Sequence, residues 1–84
     1  MEIVKRVEEI ISEVFPGSEI YLDVDRHSMK VSGVLVWEGF GAADQVDRQT
    51  RLWNALRDRL GTDSTRISTI FTYTPSEYRM LKAS

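Results

Sequence analysis

His27 is the only histidine in the chain, and there is no cysteine. That leaves little chemistry open. Disulfides, thiolate catalysis, zinc ribbons and cysteine-held iron–sulfur clusters are excluded within the chain. Asp23, Asp25 and His27 alternate in sequence and could together hold a divalent ion. A solvated strand face, with His27 exposed in a polar turn between Arg26 and Ser28, is the stronger expectation. No serine has a histidine partner at a recognisable spacing, and no Walker-type phosphate loop is present. The expectation is therefore a chain that is not an enzyme, with no catalytic residue, no metal and no cofactor of its own.

Binding chemistry has more candidates. Gly39 and Gly41 flank Phe40 just before a helical pattern. Such glycines could let a backbone approach a phosphate or a partner chain. They also suit a plain strand-to-helix turn, and the second need is sufficient by itself. Phe40 is then an anchor of that turn on the core. Arg48, Arg51 and Arg59 are expected to point away from the apolar arc of the helix as an exposed basic stripe. That stripe could touch phosphates, meet an acidic protein surface, or only keep the helix soluble. Gln49 falls inside the arc, where a buried amide needs partners. Either it bonds the nearby turn backbone or the helix start is wet.

These residues need elements to position them. Val31–Trp37 is short, β-branched and apolar on both faces, as a central strand would be. Behind it, Val46, Gln49, Trp53, Leu56 and Leu60 share one helical arc with Leu52 at its edge. Asp44 is the expected N-cap and Gly61 the C′ glycine. Trp53, mid-arc, is expected between this helix and the sheet, where truncation to alanine costs roughly 3–5 kcal/mol. An earlier helix spans Glu2 to Phe15, with Ile3, Val7, Ile10 and Val14 as its stripe, and stops at Pro16-Gly17. Ile20, Leu22 and Val24 alternate with Tyr21, Asp23 and Asp25 as a half-buried strand, paired with the central one in a hairpin. Thr65–Thr74 is a third strand, with Ile67, Thr69, Phe71 and Tyr73 on one face and Ile70 on the other. Thr74-Pro75-Ser76-Glu77 is a capping box opening a short last helix that uses Tyr78 and Leu81 as contacts. The order is α-β-β-α-β-α. A right-handed crossover makes the second and third strands parallel, giving an α/β (α+β) single domain with a three-stranded mixed sheet.

Eighty-four residues allow one core. The apolar fraction of 42% is that of a globular chain. No run is long enough to span a membrane, and the first residues lack a signal-peptide pattern, so a soluble, cytoplasmic protein is expected. The net charge of −2 hides an asymmetry. Up to Asp25 the chain is acidic, and from Arg48 to Arg66 it is basic, which permits an anionic partner on one face.

The order of elements resembles the BolA-like family. The similarity rests on Phe40-Gly41, Val46, Arg48, Trp53 and Leu56, then on Thr74-Pro75-Ser76-Glu77-Tyr78 after the third strand. The resemblance implies a fold also shared with type II KH domains, and a regulatory, non-enzymatic role. It also implies a protein partner, a monothiol glutaredoxin, with which family members share an iron–sulfur cluster. Two family histidines would fall at Gln49 and Arg66, and neither residue replaces an imidazole as an iron ligand. The fold is thus expected without the cluster role. Gly39-Phe40-Gly41-Ala42 lacks the Gly-x-x-Gly spacing of a KH clamp.

The expected partner surface combines the Gly39–Gly41 turn, the start of the following helix, and Arg66. The alternative is a KH-like nucleic-acid-binding domain using the arginine stripe. A monomer or weak dimer is expected.

Overall fold

In the computed structural model, which describes residues 2–83, α1 (Glu2–Val14) buries Ile3, Val7, Ile10 and Ile11 at helical spacing. Phe15, just beyond it, is fully buried. The chain continues through β1 (Glu19–Val24), β2 (Val31–Val36), α2 (Gln45–Leu60), β3 (Ile67–Tyr73) and α3 (Pro75–Ala83). Short 3-10 turns at Glu38–Phe40 and Gly61–Arg66 flank α2. The strand order is β1-β2-β3, with β2 antiparallel to β1 and parallel to β3. Three strands and three helices thus form the mixed α+β sheet domain that the pattern predicts.

Both long helices cover one face of the sheet. Val31 and Leu35 of β2 and Ile67 and Ile70 of β3 join α1 residues and Leu52, Leu56 and Leu60 in one apolar cluster. Ile20, Leu22 and Val24 of β1 pack at its margin. On the opposite face lies α3, which buries none of its residues. It rests on the sheet through Tyr78, whose ring stacks on Tyr21 at 5.9 Å and tilts against Tyr73 at 5.8 Å. Leu81, expected as a second contact, is 53% exposed.

Two local expectations are corrected. The buried stripe of α2 is Arg48, Leu52, Leu56 and Leu60, every fourth residue. Val46 lies outside it, 73% exposed, and Trp53 is only partly buried at the core margin. The helix is rotated because Arg48 goes inside, which its aliphatic stem permits once its head is bonded. In β3, Ile67 joins Ile70 on the core side. The register slips between Val31 and Ser32, so that Ile67 pairs with Val31 but Thr69 with Ser32. Ser68 is the extra residue, and an insertion of one reverses the facing.

Candidate functional site

β2 leads directly into the candidate surface. The amide of Trp37 donates to the Tyr73 carbonyl at 2.9 Å, and the chain then turns through Glu38–Phe40. Phe40 is buried, its ring 5.2 Å from Trp37 and 5.6 Å from Phe15, and so anchors the turn on the core as expected. The turn accounts for both glycines. A Cβ at Gly39 would collide with the Trp37 indole. Gly41 has φ +52°, a left-handed value that glycine adopts without strain. Asp44 caps α2 by accepting the Asp47 amide at 2.9 Å, and Gly61 closes its far end.

Arg48 is not on an exposed stripe. Its side chain is 4% exposed, with the guanidinium 5.4 Å above the Phe40 ring centre. Nε donates to the Ala43 carbonyl at 2.8 Å and Nη2 to that of Gly41 at 3.3 Å. Glu77 receives the other side of the fork, at 2.6 Å from Nη1 and 3.2 Å from Nη2. The same carboxylate closes the predicted capping box of α3, accepting the Thr74 amide at 2.8 Å while the Glu77 amide donates to Thr74 Oγ1 at 3.2 Å. The Arg48 hydrogen bonds, and then the Thr74 amide, hold the Glu77 carboxyl well below its ordinary range, at about 2. Arg48 therefore ties the Gly41–Ala43 backbone to the start of α3.

Gln49 also turns inward, but to β3 and not to the turn. Its Nε2 donates to the Ile70 carbonyl at 2.9 Å and to Thr72 Oγ1 at 3.2 Å, while its Oε1 accepts the Trp53 indole N–H at 3.1 Å. One helical turn earlier, Gln45 Nε2 donates to the Thr72 carbonyl at 3.0 Å, and Thr72 Oγ1 donates back to Gln45 Oε1 at 2.6 Å. The Tyr73 carbonyl faces β2, so by strand alternation those of Ile70 and Thr72 face the open edge. Two glutamines thus clamp that edge. Gln45 and the tertiary use of Glu77 were missed in the sequence. The i, i+4 glutamine pair was a visible signal for the clamp.

The remaining candidates do not gather. Gly39, Gly41 and Arg51 are exposed at one end of the molecule. Arg51 lies 5.3 Å over the Trp37 ring and 5.6 Å over Phe15. Arg59 pairs with Glu13 at 3.0 Å on the last turn of α2. Arg66 precedes β3, whose first residue pairs with Val31 at the opposite end of β2. The six residues of β2 separate the two ends by about 20 Å at roughly 3.3 Å per residue. Arg66 therefore does not share a surface with the Gly39–Gly41 turn. His27 lies at the Arg66 end, exposed, its amide bonded to Asp25 Oδ1 at 2.8 Å. No group of three or more histidine, aspartate or glutamate side chains among the described residues could hold a metal ion.

An iron–sulfur cluster does not fit the residues at the two family histidine positions. Gln49 offers a hard amide oxygen already bonded to Trp53, and its nitrogen holds the sheet edge. Arg66 offers a cation that cannot ligate.

No protein-family model and no curated protein matches the chain. Solved structures do. A bolA protein homologue from Coxiella burnetii is 24% identical with a TM-score of 0.66, over 87% of this chain and 91% of that one. BolA1 from Arabidopsis thaliana is 21% identical with a TM-score of 0.66, over 87% and 92%. A bol-like protein from Babesia bovis is 16% identical with a TM-score of 0.61, over 93% and 91%. The chain has the fold of the BolA-like proteins, as its motifs predict. No described helix is long and apolar enough to cross a membrane.

Proposed function

We propose that this chain is a non-enzymatic, regulatory binding module of BolA type that docks a protein partner and contributes no metal ligand. The observation that carries this is the engagement of Gln49, whose amide is a fixed part of the β3 edge within a BolA-like fold. The partner class is the one that the family resemblance implies, a monothiol glutaredoxin. The docking surface is the end that carries Gly39, Gly41 and Arg51, where a bonded turn presents backbone beside a cation held over aromatic rings. Such a surface is set before binding, which lowers the ordering cost. The nucleic-acid alternative needs an arginine stripe, and Arg48 is buried while Arg59 is paired with Glu13.

The test is an amide-shift titration of the labelled protein with a monothiol glutaredoxin. Shifts should concentrate on Gly39, Gly41 and Arg51. Binding should survive added salt far better than a phosphate-driven complex would. No interaction, or shifts confined to the Arg66 end, would refute the assigned surface.

A further inference from the structure

The sheet has a second edge, and it is finished differently. Asp25 N–H donates to the Lys30 carbonyl at 2.9 Å, which sets the phase of the β1–β2 ladder. Asp23, Tyr21 and Glu19 therefore direct their backbone groups to β2, and Ile20, Leu22 and Val24 direct theirs outward. Among the described residues, no side chain or loop bonds those outward groups. Their side chains lie half-buried along the margin of the core. The alternate side chains, Glu19, Tyr21 and Asp23, are exposed on the outer face. The ion pairs among the described residues are Arg6–Asp63, Arg48–Glu77 and Arg59–Glu13, so neither Glu19 nor Asp23 has a cation.

We propose that the open edge of β1 takes a basic, extended segment of a partner protein by strand addition. The backbone of Ile20, Leu22 and Val24 would supply the ladder, as edge strands do for added peptides. Apolar residues of the incoming strand would extend the row of Ile20, Leu22 and Val24. Its lysines or arginines would fall beside Glu19 and Asp23, where opposite charges across strands stabilise the pair. A second copy fits poorly. Antiparallel pairing of two β1 strands about Tyr21 sets Glu19 directly opposite Asp23, a like-charge contact that edges use to prevent self-association. Single-stranded nucleic acid meets the same repulsion, although Tyr21 and Phe71 expose rings on this face, at 47% and 57%. This edge is distinct from the glycine turn and stands or falls independently of it.

The probe is a blocked heptapeptide of alternating lysine and valine, with a glutamate-for-lysine counterpart, a thymidine oligonucleotide, and the protein alone at rising concentration. Amide hydrogen exchange by NMR is the readout. The lysine peptide should slow exchange at Ile20, Leu22 and Val24 and leave Ile70 and Thr72 unchanged. The glutamate peptide should do nothing. The double variant Glu19→Lys, Asp23→Lys changes only exposed positions and should weaken the lysine peptide by roughly tenfold. Equal binding of both peptides, protection mapped elsewhere, or no protection by the lysine peptide would overturn the proposal. So would protection of the same amides by the oligonucleotide or by concentration alone.

Discussion

Along β3, the outward carbonyls of Ile70 and Thr72 accept side-chain amides from Gln49 and Gln45. Along β1, the outward groups of Ile20, Leu22 and Val24 meet no protein partner among the described residues, and the flank is acidic. One edge is bonded from within the fold, while the other has only the acidic side chains of Glu19 and Asp23 along its exposed face. The contrast shows that a polar residue inside an apolar arc can be structural. Gln49 does for one carbonyl of a sheet edge what a fourth strand would otherwise do.

The largest effect should come from what both edges share. Leu52 is fully buried under the sheet. Leu52→Ala should cost about 2–5 kcal/mol, read as a lower denaturant midpoint, and speed amide exchange at both edges alike. Selective loss at one edge would mean that the two do not rest on a common core. Arg48→Ala should follow, at about 2–3 kcal/mol, because it strips the carbonyls of Gly41 and Ala43 and the Glu77 carboxylate of a buried, charged donor. Its signature is loosening at the α3 start with the β1 edge unchanged.

Gln49→Ala should cost about 1–2 kcal/mol and raise exchange at the β3 edge only, since it orphans the Ile70 carbonyl and the Trp53 N–H. Trp53→Ala should cost a similar amount, below the roughly 3–5 kcal/mol of a fully buried aromatic, because the ring is partly exposed. The smallest effect is titration of Glu77. Its carboxyl is depressed to about 2, so its contribution is fully present above its ordinary pKa of 4.5 and is lost as pH falls through about 2. The carboxylate is 46% exposed, so solvent screening limits the loss to about 1 kcal/mol or less. Glu77→Gln should flatten this acid limb in a stability-versus-pH series.

The sequence carried the element order, the central strand and the caps because each is a local signal. Asp44, Gly61 and the Thr74–Glu77 box act within a few residues of where they stand. The rotation of α2 was not legible. Arg48 scores as an outward residue until Glu77, distant in sequence, is known to meet it. The separation of Arg66 from Gly39 and Gly41 is implied by the parallel pairing itself. If β3 runs parallel to β2, its start must lie at the end away from the turn that follows β2. The destination of Gln49 depended on knowing that β3 is an edge strand adjoining α2, which no local pattern states.

The central claim is that this chain binds as a BolA-type module without ligating metal. The most direct measurement is to mix it with a cluster-loaded monothiol glutaredoxin and follow visible absorption and circular dichroism. The expected result is a complex whose cluster spectrum is that of the glutaredoxin alone. A new cluster spectrum would contradict this claim, and one that disappears in a His27→Ala variant would also contradict the docking surface assigned to the Gly39–Gly41 end, because His27 lies at the Arg66 end.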